Sequence, residues 1–88
     1  MDIENIKNLI KGNRLDEARN AIGTEGGSSA LYLKGRIAWK EGDRTGAISL
    51  YNEAIAADNE SEAAAAARIA LEQARRIMDF YNKDLYNP

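Results

Sequence analysis

The chain contains no cysteine and no histidine, and its single proline, Pro88, is the last of 88 residues. Without thiols there is no disulfide framework, no thiol nucleophile and no thiolate metal site. Without imidazole the usual general base and the commonest metal ligand are missing. No upstream proline removes a backbone donor from a helix interior. No apolar run is long enough to span a bilayer. Met1-Asp2-Ile3-Glu4-Asn5 lacks the basic and apolar regions of a signal peptide. The expected location is therefore cytoplasmic, with no membrane partner. In that setting the match of Asn59-Glu60-Ser61 to a glycosylation sequon has no chemical meaning. The formal net charge of −2 lacks the basic excess of a dedicated nucleic-acid binder.

What is present suits one small globular domain. Hydrophobic residues make up 44% and charged residues 30%, which is ordinary for a folded chain. A domain of this length buries only roughly 60–65% of its unfolded surface, so each large apolar side chain matters.

Apolar spacing predicts five helices and no strand. The first runs from about Asp2 to Lys11 on Ile3, Ile6, Leu9 and Ile10. Gly12-Asn13 ends it, since both residue types tolerate the left-handed conformation. The second, from about Leu15 to Ile22, presents Leu15, Ala18 and Ile22. Residues 23–28 are rich in glycine and form the clearest loop, with Ser28 or Ser29 available as a helix cap.

The third helix, from about Ala30 to Glu41, carries the stripe Leu31, Gly35 and Ala38, with Leu33 and Ile37 beside it. Gly42-Asp43 separates it from the fourth, about Thr45 to Ala57, whose stripe is Ala47, Ile48, Tyr51, Ala54 and Ile55. Asn59 with Glu62 reads as a capping box for the fifth helix. That helix is expected from about Glu60 to Tyr81, opened by five alanines and faced by Ala67, Ala70, Ala74, Ile77, Met78 and Tyr81. Short turns make successive helices antiparallel neighbours. The tail is expected to fray, with Leu85 and Tyr86 giving it something to bury, and Phe80, Tyr81 and Tyr86 packing on the fourth helix or docking into a second copy.

Leu31, Lys34, Gly35 and Ala38, then Ala47 and Tyr51, then Asn59 follow the spacing of a tetratricopeptide repeat. Gly42-Asp43 stands at the turn between the repeat's two helices. The stretch from Leu31 to Asn59 therefore resembles one full repeat of that family. It departs in having Lys34 for leucine, Ala38 for tyrosine and Asn59 for proline. Gly35, lacking a Cβ, allows close helix approach, with Ala47 the small residue expected to face it. The lysine stem of Lys34 can cover apolar surface while its ammonium stays in water. Residues 1–27 resemble a degenerate first helix pair, residues 28–59 the full repeat, residues 60–82 a capping helix and residues 83–88 a tail. The closing stretch from Ile77 resembles the end of small bacterial proteins of this type. The resemblance implies an all-α fold of antiparallel helical hairpins in a right-handed superhelix, closed by a long C-terminal capping helix.

It also implies a concave groove lined by the first helix of each repeat. The partner-facing stripe is then Tyr32, Arg36, Trp39 and Lys40, joined by Ile3, Lys7 and Lys11 on the first helix. Ala66, Ala70 and Gln73 complete it on the fifth. Lys7, Lys11, Tyr32, Arg36, Trp39 and Lys40 are the candidate peptide-binding residues. Basic and aromatic groups suit an acidic or carboxylate-ended segment. Against this stand plainer roles: Trp39 as core, the cations as solvated surface. The family's carboxylate clamp is incomplete, because Ala66 and Ala70 occupy its third position.

Other signals point away from chemistry. Asp58, Glu60 and Glu62 suit helix capping and the helix dipole, and their spacing fails a calcium loop. Arg68, Arg75 and Arg76 are interleaved with acidic residues. The loop from Gly23 to Gly27 lacks a P-loop lysine and a preceding strand. No carboxylate pair suggests tuned acid–base work. The expectation is a non-enzymatic adaptor without metal or cofactor, holding a protein or peptide. The alternative is a homodimer formed through the C-terminal helix or tail.

Overall fold

The computed structural model describes the backbone of residues 1–86, with side chains described through Asp79. Five helices follow in order: α1 (Ile3–Lys11), α2 (Leu15–Ile22), α3 (Ser28–Lys40), α4 (Arg44–Ala57) and α5 (Glu62–Tyr86). Among the described residues there is no strand. No helix of the described residues is long and apolar enough to cross a membrane.

The turns lie where the small residues stand. Asn13 adopts φ 62° and Gly42 φ 87°, the left-handed region that reverses the chain at little cost for these residue types. Both turns are short, so α1–α2 and α3–α4 fold back as hairpins. The contact between α3 and α4 is the most extensive in the molecule. α3 is the central element. It packs against each of the other four helices, with α1 and α5 on either side of it and α4 also against α5.

This centrality explains which residues are buried. One cluster joins Ile6 and Ile10 of α1, Ala18 and Ile22 of α2, and Ala30, Leu33 and Ile37 of α3. A second joins Ala38 of α3, Ala47, Tyr51 and Ala54 of α4, and Ala67 of α5. Leu33 and Ile37, which the sequence pattern sets beside the main stripe, are among the most deeply buried side chains, whereas Leu31 is only partly buried. A helix covered on two sides has no single apolar stripe.

Three local expectations are corrected. Ser28 does not cap α3; Gly27 holds the N-cap position, without a side-chain bond. Ser28 is instead the first helical residue and buried, with its Oγ 2.7 Å from the Ala54 carbonyl oxygen, to which it donates. Ser29 is partly buried and makes no cap either. The cap of α5 is Ser61 rather than Asn59: the Ala64 N–H donates to Ser61 Oγ at 3.0 Å. Asn59 lies two residues early and receives the Arg68 guanidinium on its carbonyl oxygen at 2.8 Å and on its side-chain oxygen. Finally, the group lying on Gly35 is the Tyr51 ring rather than Ala47.

α4 begins at Arg44 because Asp43 caps it, accepting from the Gly46 N–H at 2.9 Å. α5 continues to Tyr86, into the stretch expected to fray. The side chains of Phe80, Tyr81, Leu85 and Tyr86, expected to pack on α4 or on a second copy, lie outside the described residues.

Candidate functional site: the face formed by α1, α3 and α5

Because α1 and α5 flank α3, side chains of the three helices share one face. A cleft of about 250 Å³ lies between α3 and α5, lined by Tyr32, Arg36 and Trp39 on one wall and Ala70, Gln73, Ala74 and Ile77 on the other, with Tyr51 in its floor. A smaller hollow of about 100 Å³ continues it toward α1, where Ile3 and Lys7 face Glu62, Ala63 and Ala66 of α5. Tyr32 lines both parts.

The small residues of α5 make the cleft possible. Alanines at 63, 66, 67, 70 and 74 bring the α5 backbone near α3 and leave space above their methyl groups. The α3 wall is held by stacking and charge. The Tyr32 and Tyr51 ring centroids are 5.9 Å apart with the planes at 36°. The Arg44 guanidinium lies 5.2 Å from the centroid of the Trp39 ring, a cation–π contact reaching from α4 to α3. Trp39 packs against the second core cluster, and its remaining surface lines the cleft.

Tyr51 is buried, and burial pushes its phenol up to about 12; the neighbouring Tyr32 pushes in the same direction and Arg36 opposes both. The phenol is a neutral hydrogen-bonding group at ordinary pH. Arg36 is partly buried, and among the described residues it takes part in no ion pair or hydrogen bond. Lys7, by contrast, lies 3.9 Å from Glu4 on its own helix.

Of the candidates read from sequence, Lys7, Tyr32, Arg36 and Trp39 line this face, and Ile3, Ala66, Ala70 and Gln73 join them. Lys11 and Lys40, at the ends of their helices, are exposed and line neither part. Sequence reasoning missed Tyr51 as floor and Glu62 as an acidic neighbour of Lys7. Tyr51 carried a core signal, and Glu62 was absorbed by the capping pattern. Lys34 keeps its stem half-buried and donates to the Glu25 carbonyl oxygen at 3.1 Å, on a different side from the cleft.

Among the described residues no three acidic side chains gather to hold a metal ion. Comparison with protein-family models, with curated proteins and with solved structures gives no match for the chain.

Proposed function

We propose that this chain is a binding module of the tetratricopeptide type, holding an acidic or carboxylate-ended protein segment along the face of α1, α3 and α5. The observation that supports this reading best is Arg36. Arg36 is partly buried and lines the open cleft together with Tyr32 and Trp39, and among the described residues it has no ion-pair partner. A carboxylate arriving there gains a charge-assisted bond without displacing an existing ion pair. The aromatic walls add area at low entropic cost. The smooth alanine wall of α5 admits a backbone more readily than a bulky one would.

No catalytic step is proposed for this face. Its titratable groups are the Arg36 guanidinium, the Lys7 ammonium beside Glu4, the Glu62 carboxylate and the phenols of Tyr32 and Tyr51, and this set holds no carboxylate pair.

The test is capture from native lysate, read by mass spectrometry, with wild type beside the Tyr32→Ala, Arg36→Glu double variant. The reading expects prey held by the wild type and lost by the folded variant. Equal capture by both would remove the cleft from the account.

A further inference from the structure

We infer that the back of α5 is a self-complementary surface on which a second copy of this chain docks antiparallel. The proposal is independent of the cleft between α3 and α5. On the opposite side of α5, beyond α4, lies an open slot of about 410 Å³. Its floor is apolar, made of Ile48 from α4 with Leu71 and Met78 from α5, and its rim carries Arg68, Glu72, Arg75 and Asp79. Leu71 and Met78 are only partly buried.

The order of charge on that rim selects the occupant. Arg68, Glu72, Arg75 and Asp79 fall at i, i+4, i+7 and i+11, one helix face spanning about 16 Å. The signs alternate, and they do so about a centre. Arg68 stands as far before the midpoint between residues 73 and 74 as Asp79 stands after it, and Glu72 and Arg75 are likewise equidistant. A second α5 running the other way therefore places Asp79 of one copy against Arg68 of the other, and Glu72 against Arg75. Two-fold symmetry makes each of these contacts twice. A parallel pairing in register sets like against like at all four positions.

The same symmetry treats the apolar residues favourably. In an antiparallel pair related by a two-fold axis, the α4 side of both helices falls on the same side of the contact. Leu71 and Met78 of both copies then merge with Ile48 of each α4 into one strip. Their burial supplies the attraction, and methionine adapts to the seam. The exposed charges contribute mainly register and orientation. Alone, Glu72 is 3.4 Å from both Arg75 and Arg76, so Arg76 can retain Glu72 when Arg75 turns across the axis. Arg68 spends one nitrogen on Asn59 and has further donors for Asp79 of the other copy.

The experiment is sedimentation equilibrium of the full chain, with far-UV circular dichroism to establish folding of each variant. The wild type is expected to dimerise reversibly. Arg75→Glu, at an exposed position, should weaken the dimer about tenfold, and the swap Glu72→Arg with Arg75→Glu should restore it. Met78→Asp should abolish it while helical content is kept; should that variant fail to fold, the charge series decides alone. The chain remaining monomeric at about 1 mM would overturn the proposal and leave the slot to a helix of another protein. A dimer indifferent to Arg75→Glu and unaffected by the swap would overturn it equally, by placing the interface elsewhere.

Discussion

The Tyr51 ring lies flat enough on Gly35 that a Cβ at position 35 would stand 2.6 Å from Cε1 and 2.7 Å from Cδ1. Tyr51 is only 4% exposed, and the ring can retreat only toward the cleft whose floor it forms, giving up its packing in the second core cluster. Gly35→Ala should therefore destabilise the fold by about 1–3 kcal/mol, the usual cost of overpacking. The better helix propensity of alanine, worth about 1 kcal/mol, offsets part of it. In a Tyr51→Leu background the same change should cost much less. Urea unfolding of the four proteins in that double-mutant cycle measures the coupling.

The raised Tyr51 phenol has a pH signature. Between the ordinary tyrosine value near 10 and the folded value of about 12, the native state keeps a proton that the unfolded chain has released. The associated stability is complete below pH of about 10 and is lost as pH rises through the folded value. Thermal melts should show a decline across that window that is absent in Tyr51→Phe. Phenolate absorbance should show a late-titrating component that Tyr51→Phe removes.

The junction of α3, α4 and α5 rests on two hydroxyls. Ser61 Oγ accepts from the Ala64 N–H and donates to the Asp58 carbonyl oxygen at 2.8 Å, while Ser28 Oγ donates to Ala54. The two oxygens are 2.9 Å apart, so two protons serve three contacts and one contact is always without its proton. Ser61→Ala removes the α5 cap as well as this junction, and should cost about 1–2 kcal/mol by chemical denaturation. Asn59→Ala, outside the cap, should cost well under that.

Position within the cleft should matter more than charge alone. Arg36→Glu reverses a cation inside the cleft, whereas Lys11→Glu and Lys40→Glu make the same charge change on exposed positions outside it. The first should weaken affinity for an acidic peptide by tenfold or more. The other two should change it a few-fold at low salt and hardly at all once salt screens them. Fluorescence anisotropy at two ionic strengths separates these outcomes.

How much of this was legible in sequence depends on how local the cause is. The turns at Gly12-Asn13 and Gly42-Asp43 were readable because they demand particular residue types in the left-handed region. The helices of the first hairpin follow a one-sided apolar pattern and were readable for that reason. α3 was harder: it is covered on both sides, so Leu33 and Ile37 look secondary to the stripe through Leu31. The α5 cap was misplaced because Asn59 and Ser61 both head plausible capping patterns, and Ser28, distant in sequence, stands beside Ser61 in the fold. Helical spacing sets Tyr32, Arg36, Trp39 and Lys40 on one face and the family resemblance implied that this face meets a partner, but the wall opposite Tyr32, Arg36 and Trp39 requires α5 to lie along α3. The slot behind α5 needed more still, since its floor combines Ile48 with Leu71 and Met78.

The most direct test of the central claim is an NMR titration of isotope-labelled chain with a short acidic peptide ending in a free carboxylate. The account predicts saturable amide and side-chain shifts centred on Lys7, Tyr32, Arg36 and Trp39, spreading to Ala66, Ala70 and Gln73 across the cleft. Shifts confined to the back of α4 and α5, or to the exposed lysines Lys11 and Lys40 without saturation, would contradict it.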